Sequence, residues 1–171
     1  TLNGSYGSGI VIDGAGFLMN NEMDDFAIKP GTPNLYGLIG SEANAVAPYR
    51  RMLSSMSPTI VLKDSRPYMI LGSPGGSTII TTVLQNFLNV TQYGMNIQEA
   101  IAAPRHHSQW LPDSVMYEPR AFSNDTKQRL LLLGHVLEEV PSIGQANAIH
   151  ITPEGIFGAP DPRSDNAAVG Y

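Results

Sequence analysis

Between residues 58 and 92 the chain passes from strand to helix, and it does so through five residues, Ser73-Pro74-Gly75-Gly76-Ser77. Upstream, Pro58 to Lys63 (PTIVLK) and Tyr68 to Gly72 (YMILG) read as a strand pair turned at Asp64-Ser65. Downstream, from Thr78 to Gln92, Ile79, Ile80, Val83, Leu84, Phe87 and Leu88 recur at helical spacing. A glycine pair at a helix N-terminus leaves two backbone N–H groups unobstructed, and the helix dipole favours an anion in front of them. That anion is a phosphate or the oxyanion of an acyl-transfer intermediate; a plain glycine-rich turn is the third reading. A phosphate loop of the Gly-x-x-x-x-Gly-Lys-Ser/Thr type needs a lysine, and this segment has none.

The flanking segments build a layered fold around this unit. Gly9 to Asn20 reads as a hairpin turned at Asp13-Gly14. Lys29 to Pro48 has no apolar period and is expected to be a long ordered loop, which in compact domains is usually functional. Asn96 caps a second helix, with Glu99 at the capping-box position and Pro104 at its end. Ser123 starts a third, which runs to Leu133 and stops at Gly134. Short strands are expected at His135 to Val140, Ala146 to Ile151 and Gly155 to Ala159, and an irregular tail from Pro160 to Tyr171. This order predicts a single domain over residues 1–171, an α/β (α+β) sandwich with a largely antiparallel sheet.

Charge narrows the partners. Only 15% of residues are charged, against about 25% in ordinary domains, which points to surface buried against another chain. The ten basic residues are scattered and outnumbered by fifteen acidic ones, so no stripe for nucleic acid is present. No apolar run approaches the ~20 residues of a membrane span. With no cysteine, thiolate metal sites, disulfides and cysteine nucleophiles are excluded.

Three further segments carry candidate chemistry. Asn21 to Phe26 (NEMDDF) clusters carboxylates: on a strand Glu22 and Asp24 share a face, whereas a turn brings Glu22 and Asp25 together. Such a pair can bind a substrate ammonium, hold a metal or act as acid and base; a solvated acidic loop is the alternative. Calcium-loop spacing is absent. Ser54, Ser55 and Ser57 precede a strand and can receive a carboxylate or simply turn the chain. His106-His107 has no third ligand nearby, which favours structural hydrogen bonding over metal. His135 and His150 fall in expected strands.

Taken in order, Asn20-Asn21-Glu22-Met23-Asp24-Asp25-Phe26, Pro33-Asn34-Leu35-Tyr36-Gly37-Leu38, Leu53-Ser54-Ser55-Met56-Ser57-Pro58-Thr59-Ile60, Gly72-Ser73-Pro74-Gly75-Gly76-Ser77, Ala103-Pro104-Arg105-His106, Gln109-Trp110-Leu111-Pro112 and Asp161-Pro162-Arg163 resemble the small subunit of the γ-glutamyltranspeptidases along essentially the whole chain. The resemblance implies an N-terminal nucleophile hydrolase. Such a precursor cuts itself and frees a threonine, whose own α-amine is the general base. It implies an αββα sandwich shared between large and small subunits, of which this chain is the small-subunit half. It further implies transfer of the γ-glutamyl group of glutathione or related amides to water, amino acids or peptides.

Carried onto this sequence, the resemblance makes Gly75 and Gly76 the oxyanion donors. Asn3, Glu22 and Asp25 hold the substrate α-amino group. Ser54 and Ser55 hold its α-carboxylate together with a large-subunit arginine, and Tyr36 belongs to a lid. Thr1-Leu2-Asn3-Gly4-Ser5-Tyr6-Gly7-Ser8 matches a motif downstream of the nucleophile. Thr1 is therefore expected to be the accessory threonine beside the nucleophile, and the nucleophile and its strand to lie upstream of this sequence. By itself the chain is expected to be inactive. It should pair with a large subunit, or with itself through an open sheet edge. A periplasmic or secreted location follows from the family alone, and no cofactor or metal is called for. Two alternatives are a related amidohydrolase of the cephalosporin-acylase kind and an inactive glutamate-binding fragment.

Overall fold

The computed structural model describes residues 1–170; Tyr171, the end of the expected irregular tail, lies outside the described residues. The chain divides into two compact units, Thr1–Met56 and Ser57–Tyr171.

The second unit is built on a four-stranded antiparallel sheet in the order β1 (Thr59–Lys63), β2 (Arg66–Gly72), β6 (Asn147–Thr152), β7 (Gly155–Ala159). The β1–β2 turn is Asp64-Ser65, as the sequence indicated, and both residues have positive φ (51° and 62°), the turn form that matches strand twist. Alternation decides the faces. Met69 and Leu71 are buried, while Ile70 between them is exposed. On the buried face lie α1 (Ile79–Thr91) and α2 (Ile97–Ala102), which contribute Ile79, Val83, Val90, Ile97, Ala100 and Ile101 to the core. On the other face Ile60, Ile70 and Ile149 stand directly opposite one another across three strands and remain exposed.

The helix boundaries follow their caps. Asn96 Oδ1 accepts from Glu99 N and Glu99 Oε2 accepts from Asn96 N, both at 2.9 Å, the reciprocal box expected from the sequence. α3 (Asn124–Leu132) is capped by Ser123. It ends in a paired motif, with Gly134 N donating to Leu131 O (3.0 Å) and His135 N to Leu130 O (3.1 Å).

One expectation needs correction. His135 closes that helix end instead of opening a strand, so the strand expected from His135 to Val140 shortens to β5 (Leu137–Glu139). β5 runs parallel to β4 (Val115–Tyr117), which pairs antiparallel with β3 (His106–His107). This second sheet was not foreseen, because its strands are two or three residues long and carry no readable period. His150 does lie in β6, edge-on to Tyr68.

An ionic cluster closes this unit. Arg105 and Asp161 are both 1% exposed, and Arg105 Nη2 donates to Asp161 Oδ2 at 2.8 Å. Arg163 bridges Asp161 Oδ1 (3.1 Å) and Glu118 Oε1 (2.7 Å). Both arginines also donate to the free carbonyl of Ile101 at the end of α2, at 2.8 and 3.0 Å. Burial alone would raise the carboxyls of Glu118 and Asp161; guanidinium and backbone N–H donors outweigh it and hold both below the usual carboxylate range. From this cluster hangs the connection into β6. Ile143 N donates to Glu118 Oε1 (2.6 Å), Ile143 O accepts from Arg105 Nη1 (2.7 Å) and Ala146 N donates to Asp161 Oδ2 (2.6 Å).

Candidate active site

In the first unit the expected hairpin is reduced to one antiparallel bridge, Val11 to Leu18, flanked by backbone hydrogen bonds such as Met19 N to Ile10 O at 2.8 Å. The chain then enters a single 3₁₀ turn, Glu22–Asp25. With three residues per turn, positions i and i+3 eclipse, so Glu22 and Asp25 share one side while Asp24 points elsewhere. Of the two arrangements the sequence allowed, the turn is the one formed. Asp24 serves the long loop instead, where its Oδ2 accepts from Leu35 N at 3.0 Å.

That loop is ordered, as expected. Asn34 Oδ1 accepts from Tyr36 N (3.0 Å) and Leu38 N (2.9 Å), and Pro33 bridges Ile39. The result is a tight fold-back whose Tyr36 hydroxyl donates to Asn3 O at 2.9 Å. Asn3 itself has positive φ (65°), and its Nδ2 donates to Asn21 O at 3.3 Å. Thr1 Oγ1 accepts from Asn3 N at 3.1 Å and makes a side-chain hydrogen bond with Glu22. Thr1, Asn3, Glu22, Asp25 and Tyr36 are thus brought to one place.

The carboxylate pair is electrostatically unbalanced. Asp25 is buried, and Asp25 Oδ2 and Glu22 Oε1 receive no donor from the described residues. Burial, then the hydrogen bond to Asp25 and its charge, push the Glu22 carboxyl up, and the charge of the Thr1 α-amine, then the Thr1 hydroxyl, only partly oppose them. Burial followed by the charges of Asp25, Asp24 and Glu22 likewise raises the Tyr36 phenol, which therefore stays a donor at neutral pH. Because the Glu22 carboxyl is raised, its ionisation costs folding stability. The stability that the neutral carboxyl contributes is complete below the ordinary carboxylate pKa of about 4.3 and is lost as pH rises through the raised value. Glu22→Gln should therefore raise the Tm of the full-length protein more at pH 7 than at pH 4. An equal or reversed shift at the two pH values would show that the pair is not strained.

Ser54 and Ser55 lie outside any helix or strand, near the end of this unit. Ser54 Oγ accepts from Met56 N at 3.3 Å, and no hydrogen bond among the described residues links either serine to the carboxylates. Gly75 and Gly76 belong to the second unit. They sit ahead of α1 with φ of 139° and 56°, and Gly76 opens a short 3₁₀ turn that leads into the helix. Their N–H groups find no acceptor among the described residues. The His106-His107 pair is structural: His107 Nδ1 pairs with Thr81 Oγ1 (2.8 Å) and Nε2 with Gln109 Oε1 (2.9 Å).

Sequence reasoning gave no role to Ser73, Thr78 or the Arg105–Asp161–Arg163–Glu118 cluster. For the cluster a signal existed: isolated charges next to proline, at Pro104-Arg105 and Asp161-Pro162-Arg163, in a chain otherwise poor in charge.

Residues 1–171 match the gamma-glutamyltranspeptidase family. The chain is 51% identical to the glutathione hydrolase proenzyme of Escherichia coli, the match covering 100% of this chain and 30% of that protein. It therefore spans about a third of the length of such relatives. In structure it is similar to the Helicobacter pylori γ-glutamyltranspeptidase T380A mutant, with a TM-score of 0.91, 54% identity and 96% and 90% of the two chains covered. It is also similar to the γ-glutamyltranspeptidase of Pseudomonas nitroreducens complexed with L-DON, with a TM-score of 0.92, 42% identity and 100% and 90% of the chains covered.

Proposed function

The chain belongs to the γ-glutamyltranspeptidase family, and from that premise we propose that it is part of an enzyme that transfers the γ-glutamyl group of glutathione and related amides to water, amino acids or peptides. The observation that carries the reading is the carboxylate pair, in which buried oxygens of Glu22 and Asp25 lack donors. A substrate ammonium brings three donors and a positive charge to such a pair. Asn3 completes the ammonium site, and Ser54 and Ser55, with an arginine of the large subunit, take the α-carboxylate. Tyr36 covers the bound head group.

In the proposed reaction a threonine hydroxyl freed by autoprocessing attacks the γ-carbonyl carbon and passes its proton to its own α-amine. The carbonyl electron pair moves onto oxygen, where the Gly75 and Gly76 amides receive it. The C–N bond then breaks, the leaving amine takes the proton, and water or a second amine accepts the acyl group. The Thr1 hydroxyl contacts the nucleophile. The large subunit is also the proposed cover for the exposed row Ile60, Ile70 and Ile149, as the second sheet layer of an αββα sandwich would be.

The test is turnover of γ-glutamyl-p-nitroanilide by the full-length protein, beside the glutaryl analogue that lacks the α-amino group. Rapid release from the γ-glutamyl compound alone is expected, with γ-glutamyl product appearing when an amino acid is added. Equal release from both would sink the ammonium site and favour an acylase of the cephalosporin type.

A further inference from the structure

The two peptide planes that carry the Gly75 and Gly76 amides are both held from their carbonyl sides. Ser73 Oγ donates to Pro74 O at 2.6 Å and accepts from Gln145 N at 3.0 Å. Thr78 takes Gly75 O twice, through Oγ1 at 2.8 Å and through its own N–H at 3.1 Å. In a trans peptide the C=O and N–H point to opposite sides of one rigid plane. The Pro74 carbonyl and the Gly75 N–H share such a plane, and the Gly75 carbonyl and Gly76 N–H share the next. Whatever fixes each carbonyl therefore fixes the direction of the amide behind it.

Nothing in the local backbone would do this unaided. Gly75 and Gly76 have φ of 139° and 56°, and glycine has little intrinsic preference there. The surroundings are close-fitting instead. A Cβ at Gly75 would stand 2.5 Å from Thr78 Oγ1, and one at Gly144 would stand 2.8 Å from Ser73 Oγ and 2.9 Å from Thr82 Oγ1. The Gly144-Gln145 connection thus passes Ser73 too closely for a side chain at residue 144, and Gln145 N holds the Ser73 oxygen. That connection is anchored on either side by Ile143 and Ala146, both bonded to the buried ionic cluster.

We propose that Ser73 and Thr78 are positioning residues, each holding the carbonyl half of a peptide whose N–H half receives the substrate oxyanion. The proposal rests on the acyl-transfer reading above. Neither hydroxyl touches the substrate; each acts through the glycine amide it aims. Preorganised donors act in the transition state more than in the ground state, so the loss falls on kcat and spares KM.

In the full-length enzyme, Ser73→Ala and Thr78→Val should each lower kcat by roughly 10- to 100-fold, the scale expected when a donor is misplaced by about 1 Å. KM for γ-glutamyl-p-nitroanilide and the Tm should change little. Affinity for a tetrahedral γ-phosphonate analogue of glutamate should fall in parallel with kcat/KM, while affinity for glutamate holds. Ser73→Thr and Thr78→Ser keep the hydroxyl and should recover most of the rate. The proposal is overturned if the hydroxyl-deleting variants keep full kcat, if their loss appears in KM and glutamate affinity instead, or if the hydroxyl-keeping variants are equally slow. Should Ser73→Ala fail to mature or fold, the Thr78→Val and Thr78→Ser pair decides the matter by the same readouts. Asp25→Ala separates the two levels. If it abolishes turnover while Ser73→Ala and Thr78→Val do not, only the positioning role fails; if all three leave turnover intact, the γ-glutamyl reading fails with it.

Discussion

Replacing Asp161 by Ala is expected to destabilise the full-length protein by about 3–5 kcal/mol, the scale for removing one partner of a buried ion pair. The carboxylate accepts four hydrogen bonds: from Arg105 Nη2 (2.8 Å) and Ala146 N (2.6 Å) on one oxygen, and from Arg163 N (2.9 Å) and Nη1 (3.1 Å) on the other. Its removal strands the Arg105 guanidinium, 1% exposed, together with a buried backbone amide. Burial already pulls the Arg105 pKa down, with Asp161 among the groups that oppose this, so the deletion leaves a charge the site tolerates poorly. The pair is not a stability surplus over an apolar core; the cost comes from leaving half of it behind. Chemical denaturation of wild type and Asp161→Ala measures the difference. Lys127→Ala, which removes the solvent-facing pair with Glu139 and the Lys127 ammonium over the Tyr117 ring, should cost far less. Equal stability of Asp161→Ala and wild type would mean that water reaches the cluster and that its burial in the isolated chain does not persist in the full-length protein.

Elements with a full period were legible in the sequence: α1, the β1–β2 hairpin and the capping box at Asn96 all rest on contacts within a few residues of one another. The small sheet β3–β4–β5 was not, since its register is set by hydrogen bonds across the fold from strands too short to alternate. The ionic cluster joins residues 105, 118, 161 and 163; charges beside proline flag these positions, but no local pattern says that they converge. The candidate site was legible through resemblance, with physical support in two places. The 3₁₀ turn settles Glu22 with Asp25 over Glu22 with Asp24, and the positive φ values of Gly75 and Gly76 explain why both are glycine. The roles of Ser73 and Thr78 could not be read. A serine before a proline and a threonine at a helix start are common turn and cap residues, and only the peptide planes reveal what their hydroxyls hold.

Asp25 and Asp24 are adjacent carboxylates with different work, and exchanging each for Asn should separate them by orders of magnitude in turnover. Asp25 is buried, and its Oδ2 lacks a donor, while its backbone is fixed by Asn44 Nδ2 donating to Asp25 O at 2.7 Å. If a substrate ammonium fills that gap, Asp25→Asn removes one partner of a desolvated charge pair, a loss of about 2–5 kcal/mol, or roughly 30- to 5000-fold in kcat/KM. Asp24 instead accepts from Leu35 N, which the amide oxygen of Asn can also do, so Asp24→Asn should stay within a few-fold of wild type. The pH profile carries a second signature. Asp25 raises the Glu22 carboxyl through both its hydrogen bond and its charge, so the acid limb of kcat/KM, where Glu22 loses its charge and its hold on the ammonium, should move to lower pH in Asp25→Asn. A large drop in kcat/KM for Asp25→Asn with that downward shift, beside a near-normal Asp24→Asn, assigns the ammonium to the Glu22–Asp25 side of the turn. Equal losses for the two variants would mean that the cluster acts as a diffuse negative field and that neither carboxylate grips the substrate directly.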